Sequence, residues 1–426
     1  MYLMILALAI FIITYVLIIT EWINKMLAAM IGGFALILTG ILQQPEAFSA
    51  VDWNVIFFLI GMMLVISVLK DTGLFMYMAI KTAKLARGKP LLIMIYMFVI
   101  TAVVSAFLGS VTTIMILVPI LLLITEELKI SPVPFIITMV VASNIGGAAT
   151  MIGDPPNIII GSATNLTFID FLLNLTPPAI ITTVFSCGLI WLMYRKGMKV
   201  STENRARLLS YKEDNLIKSR KKLAIALVVM FLMLVGLALQ SVLGIHTATI
   251  SMTAGLLLLA ISSRKKVEHV LTNDVDWVTI FFFIGLFIIV ESLVKTGFID
   301  MLANGVVELT QGRAKETSLA ILWLSGVFSA FIDNVPFVAA MIPVIEHIGE
   351  VAKQITDINP LWWSLALGTC LGGNGTLIGA SANIVAVGIA KHNGYHIRFR
   401  DFTKVSAVFT LLSLVICTFY ILLRYF

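Results

Sequence analysis

Two carboxylates stand in strings that interrupt otherwise apolar stretches. Asp154 lies within Gly153-Asp154-Pro155-Pro156-Asn157, and Asp333 heads Asp333-Asn334-Val335-Pro336. Pro removes a backbone donor and Gly relaxes φ, so such strings stop a helix and free carbonyls and amides to face a solute. Two further strings are alike: Gly109-Ser110-Val111-Thr112-Thr113, and Gly373-Asn374-Gly375-Thr376 with Gly379-Ala380-Ser381-Ala382-Asn383. Half-helix amino ends favour anions or polarised oxygens, and freed carbonyls favour cations. The chemistry these residues suit is binding and release of a small solute or ion beside a titratable, cation-holding oxygen. The candidate ligands are Ser110, Thr112, Asn144, Asp154, Asn157, Asp333, Asn334, Asn374, Thr376, Ser381 and Asn383. A sodium ion would fall to Ser110, Asp154, Asn157, Asp333 and Asn383.

Each candidate has a plainer reading. Asp at a helix amino end is an ordinary cap, and Asn can merely satisfy freed backbone groups. Charge at membrane depth is costly enough that function is the default for Asp154 and Asp333. Glu291, the third acid in an apolar stretch, can reach an interface by snorkelling. The five His fall in loops or near helix ends and read as surface groups. Cys187, Cys370 and Cys417 form no CxxC pair and read as small packing residues. The Gly-rich strings lack the Lys of a phosphate loop. With no nucleophile, base and orienter set and no metal constellation, the sequence does not read as an enzyme, and it calls for no cofactor. No Lys or Arg lies in the four strings, which argues against a multivalent anion and favours a cation or a neutral or weakly charged oxyacid.

The elements that position these residues must be membrane helices. The chain has 426 residues, 60% hydrophobic and only 12% charged, with a mean hydropathy of +1.04. Soluble domains carry about 25% charged residues. The net charge of +6 is topology information here and not a nucleic-acid signal. Apolar runs near span length occur at about 2 to 20, 25 to 43, 52 to 69, 133 to 163, 168 to 194, 223 to 242, 247 to 262, 277 to 294, 361 to 390 and 403 to 423. The stretches 91 to 125 and 317 to 345 are broken in the middle and read as hairpins of half-helices. The first run has no basic n-region or cleavage-type tail and reads as a retained helix.

The chain repeats itself. Asp52-Trp53-x-x-Ile56-Phe57-Phe58-x-Ile60-Gly61 returns 224 residues later from Asp276, and Gly146-Gly147-x-x-Thr150-x-Ile152-Gly153-x-x-x-Asn157 returns after 226 from Gly372. The Asp-Trp pairs suit helix amino ends at the membrane interface. Five spans per half is an odd number, so the second copy enters upside down. The expected fold is an all-α polytopic membrane protein: an inverted repeat of five spans plus one re-entrant hairpin each, with broken helices. The first repeat is 1–194 (scaffold 1–90, hairpin and broken helix 91–194), then a basic linker 195–222, then the second repeat 223–426 (scaffold 223–315, hairpin and broken helix 316–426). With the linker in the cytoplasm and both termini outside, all Lys and Arg except Lys295, Arg313, Lys315, Lys353 and Arg424 face inward. That bias sets the expected orientation in the cell membrane, with anionic lipid as a partner of the linker.

The strings at 146 to 157, 333 to 337 and 372 to 383 resemble the arsenite permease and sodium/proton antiporter family of the ion transporter superfamily, and within it the P protein-like bacterial members. The resemblance spans nearly the whole chain. It implies a homodimeric scaffold and an elevator-type transport domain made of the hairpins and broken helices. It also implies that Ser110, Thr112, Asp333 and Asn334 are binding tips, with Asp154, Asn157, Thr376, Ser381 and Asn383 as their partners. The tips depart from the Ser-Asn-Thr string of the dicarboxylate branch. The expected function is secondary active transport, driven by protons or sodium, with proton-coupled efflux of arsenite or antimonite as the leading reading. A sodium/proton antiporter, a sodium-coupled carboxylate transporter and an anion channel are the alternatives.

Overall fold

The structure, a computed structural model, describes residues 2–20, 22–197, 200–210, 216–262 and 266–426, the side chain of Ser210 excepted. Lys199, Lys212, Arg264 and Lys265, four of the residues in the charge bias, lie outside the described residues. Among the described residues all regular structure is helical.

The first half contains α1 (Tyr2–Thr20), α2 (Lys25–Leu38), α3 (Gln44–Ser49), α4 (Trp53–Asp71), α5 (Leu74–Leu85), α6 (Pro90–Leu108), α7 (Ser110–Glu127), α8 (Val133–Ala148), α9 (Pro155–Ala163) and α10 (Phe168–Tyr194). The linker carries α11 (Thr202–Ser210). The second half contains α12 (Arg220–Ala238), α13 (Gln240–Leu243), α14 (Thr247–Ser262), α15 (Val267–Asn273), α16 (Trp277–Lys295), α17 (Phe298–Thr310), α18 (Ala314–Ser329), α19 (Asn334–Val351), α20 (Asn359–Gly372), α21 (Ser381–His392) and α22 (Phe399–Tyr425). Setting α13 aside, the second half repeats the helix order of the first. Eight of the described helices are long and apolar enough to cross a membrane. Three runs expected as spans form shorter helices, α2, α8 and α20 with 14 to 16 residues, while α14 has the expected bounds of 247 to 262. Two of them, α8 and α20, continue after a break into α9 and α21. Besides the short α3, α11 and α15, the sequence reading missed α5 and α17, which follow Gly73 and Gly297 and at 12 and 13 residues are too short to span.

Equivalent bonds recur in the two halves. Ser105 Oγ donates to Ser143 O at 2.6 Å, and its counterpart Ser329 Oγ to Thr369 O at 2.7 Å. Thr150 Oγ1 donates to Ala106 O as Thr376 Oγ1 donates to Ala330 O. Asp52 caps α4 by accepting from Asn54 N and Val55 N, and Asp276 caps α16 by accepting from Thr279 N. The Asp of each Asp-Trp pair is thus a helix cap, as its position at a helix start suggests.

The halves also interlock. Helix α4 packs on α14 of the other half, and α16 on α2. A Cβ at Gly61 would lie 2.5 Å from Met252 N, and one at Gly285 would lie 2.6 Å from the Ala29 carbonyl carbon. Backbone cannot retreat as a side chain can, so each glycine sets a helix separation. Gly61→Ala is expected to destabilise the protein by about 1–3 kcal/mol, as overpacking does. Thermal unfolding of the purified variant checks this: an unchanged midpoint would contradict the close crossing.

Candidate functional site

The first break is a single residue. Gly109, at φ 84 and ψ 150, turns α6 into α7 through a conformation open only to glycine. Ser110 N then donates to Gly153 O at 3.2 Å, joining the hairpin tip to the loop that carries Asp154. In the second half the tip runs through Phe331 and Ile332 to Asp333, which caps α19 through Val335 N at 3.2 Å.

Asp154 sits between the two tips. Its Oδ1 accepts from Ser110 Oγ at 2.9 Å and its Oδ2 from Asn334 Nδ2 at 2.8 Å. Ser110 and Asn334 are repeat mates, so corresponding residues of both halves converge on one carboxylate. Only 2% of Asp154 is exposed. It precedes α9 but makes no side-chain bond to that helix, so it is not a cap. Asp333 is one, which divides the two carboxylates by role.

The expectation that both carboxylates lack a basic partner is overturned for Asp333. Lys25, the first residue of α2, brings its Nζ to 2.8 Å from Ser381 Oγ and 3.9 Å from Asp333 Oδ2. Ser381 Oγ in turn donates to Asp333 Oδ2 at 2.6 Å. The ammonium also stands over the Phe282 ring at 5.2 Å. Lys25 is far from the break strings in sequence, and counting basic residues inside those strings could not find it. Nearby, Tyr15 Oη donates to Pro336 O at 2.7 Å, so α1 as well as α2 holds the second tip.

Behind the tips the broken helices are joined by amides. Asn157 Nδ2 donates to Thr150 O at 2.9 Å, as Asn383 Nδ2 does to Thr376 O at 2.8 Å. Asn144 Nδ2 bridges Asn374 Oδ1 at 2.8 Å and Asn383 Oδ1 at 3.0 Å. Cys370 Sγ lies 3.7 Å from Asn157 Oδ1. Cys370 is therefore more than the packing residue expected; its correspondence to Asn144 across the repeat was the available signal.

A cavity of about 640 Å³ leads to this centre. It runs from exposed Lys70, Asp276 and Trp277 to buried Ser110, Asp154 and Asn334, with Lys25, Thr112 and Ser381 on its walls. Asn144, Asn157, Asn374, Thr376 and Asn383 support the lining from behind and are almost wholly buried. The structure thus brings the named candidates into one region: Ser110, Thr112, Asp154, Asn334 and Ser381 on the cavity, Asp333 one bond away, and the amide cluster beneath. Glu291 is not among them. It lies near the end of α16, one turn before Lys295, which pairs with Glu46 at 2.6 Å. The Lys295 contact holds the exposed Glu46 carboxyl below its ordinary pKa.

Comparison with known proteins finds membrane transporters. A family model described as "Citrate transporter" (CitMHS) matches residues 15–368. The "46 kDa membrane protein" of Mycobacterium leprae is 39% identical over 425 residues, covering 99% of each chain. An "uncharacterized transporter" of Mycobacterium bovis is 38% identical over 424 residues, covering 99% of this chain and 98% of its own. The human P protein is 31% identical over 492 aligned positions, covering 96% of this chain and 59% of its own. A match over most of the chain, to proteins of nearly the same length, makes this chain a member of the CitMHS family of membrane transporters.

Proposed function

We propose that the chain is a proton-coupled secondary transporter for a small uncharged oxyacid, with arsenite or antimonite as the neutral hydroxide as the leading substrate and efflux as the direction. The observation that carries this reading is the state of Asp154: a buried carboxylate held by both hairpin tips, with no ion pair among the described residues, while Asp333 is paired with Lys25. With Asp154 protonated, the group of Asp154, Asp333 and Lys25 is neutral. With Asp154 ionised it carries one negative charge. One carboxylate can then alternate between a proton and a polarisable hydroxide ligand, which is what exchange requires.

Helix packing supports a two-body transporter. Helices α1, α2, α4, α12, α14 and α16 pack among themselves, while the hairpins α6–α7 and α18–α19 pack on α8, α9, α20 and α21. In this reading the first set is the scaffold of a homodimer and the second moves against it as an elevator. The repeat is inverted, and the cavity mouth at Lys70 faces the cytoplasm together with the 195–222 linker.

The test is flux in proteoliposomes with a pH-sensitive dye inside. Arsenite or antimonite added to one side is expected to move protons, and sodium alone is not. Proton movement with sodium alone would replace this reading by sodium/proton antiport, and no response to metalloid or sodium would sink exchange altogether. A second reading, uptake of a citrate-type anion, is favoured by Lys25 and Lys70 on the cavity wall and by the description of the matched family. Its mark would be accumulation of citrate that falls when Lys25 is removed.

A further inference from the structure

The buried amide cluster contains one interaction built twice with different chemistry. Asn144 on α8 and Cys370 on α20 are equivalent positions of the repeat, 226 residues apart, as are Asn157 and Asn383. Each of the first pair donates across to the second pair in the opposite half: Asn144 Nδ2 to Asn383 Oδ1 at 3.0 Å, and Cys370 Sγ to Asn157 Oδ1 at 3.7 Å. One brace is an amide and the other a thiol, a weak donor.

The weaker brace goes with longer bonds elsewhere in its loop. Asn383 Nδ2 reaches Gly373 O and Thr376 O at 2.8 Å each. Asn157 Nδ2 reaches the equivalent carbonyls of Gly147 at 3.4 Å and Thr150 at 2.9 Å. The loop held by the thiol is the one that carries Asp154, three residues before Asn157. The other loop carries Ala380 at the corresponding position and has no charge to exchange.

We infer that Cys370 is a positioning residue, whose thiol, weakly bonded to Asn157 and also beside the Asp154 carboxylate, leaves the Asp154 loop free to shift as Asp154 gains and loses its proton or ligand, while the amide brace at Asn144 keeps the opposite loop fixed. This rests on the proposed transport at Asp154. Replacing the thiol by an amide gives both loops the same brace at nearly unchanged side-chain volume. In the Cys370→Asn protein the firmer loop lowers both KM and kcat, by roughly three- to tenfold each. In the Cys370→Ala protein the looser loop raises KM with little change in kcat. A residue that merely filled space would not move KM and kcat in this pattern.

The test combines liposome kinetics with thermal unfolding of the purified proteins, using arsenite as the transport probe. The expected order of unfolding midpoints is Asn above Cys above Ala at position 370, and this arm needs no transport. If wild-type protein shows no flux but the order holds, the function reading fails and the brace stands. If Cys370→Asn unfolds no later than wild type, or leaves KM and kcat unchanged, the brace is wrong. Should Cys370→Asn fail to fold, Cys370→Ala decides: wild-type KM and wild-type midpoint overturn the inference.

Discussion

Asp154→Asn is expected to abolish proton-coupled flux while leaving a folded protein. The carboxylate accepts from Ser110 Oγ at 2.9 Å and from Asn334 Nδ2 at 2.8 Å, with the Cys370 thiol also beside it. An Asn side chain keeps the shape and can keep both bonds. Its oxygen accepts from Asn334, and its amide donates to Ser110, whose hydroxyl can accept as well as donate. What the variant loses is the charge and the site for a proton. Asp154→Ala should behave differently in stability, because it strands both donors in a buried place at about 1–3 kcal/mol each. The pair therefore separates fold from chemistry: both variants show no metalloid-driven proton movement in vesicles, and only Ala lowers the unfolding midpoint strongly. Proton-coupled flux in Asp154→Asn at even a tenth of the wild-type rate would remove Asp154 from the coupling role.

The position of this residue was open to sequence reasoning because of what surrounds it. Gly, Pro and Asn in an apolar run mark backbone that cannot stay helical, and such backbone must line a cavity or be buried in protein. The repeat gave the pairing of Ser110 with Asn334, but not that both point at Asp154. Convergence of mates on a single residue requires the halves to meet face to face, which spacing within one half does not encode. Lys25 escaped for the same reason. It begins α2, more than 300 positions before Asp333, and only the packing of α2 on α16 and of α1 near the second tip brings it there. Cys370 was hidden by its residue type: a buried Cys is usually apolar filling, and its donor role shows only once Asn157 is placed beside it. The short helices α5 and α17 were missed because a 12- or 13-residue amphipathic segment between polar ends gives no span signal.

The contact between Lys25 and Asp333 carries the second large expectation. It links α2, from the set of helices read as scaffold, to the second hairpin tip, in the set read as mobile. The side chains are 30% and 10% exposed, so the pair lies between a solvated ion pair and a fully buried one. Removing one partner should cost on the order of 1–3 kcal/mol, above the usual surface value and below the cost of breaking a buried pair. Lys25→Ala leaves the largely buried Asp333 carboxylate without its cation, and Asp333→Asn leaves the ammonium facing Ser381 and the Phe282 ring. Each single variant is expected to lose stability and most of its transport. The double variant removes both charges and should recover stability toward wild type, with a coupling energy of the same order as the single losses. Asp333→Asn can still accept from Val335 N through its side-chain oxygen, so loss of the cap does not explain its effect. Transport in the double variant then separates two roles. If the single variants fail only because one charge is left without its partner, exchange returns with stability. If Lys25 instead meets an anionic substrate, stability returns and citrate-type uptake does not, which would favour the second functional reading. Strictly additive losses in the cycle would show that the two groups do not interact and that the contact is incidental.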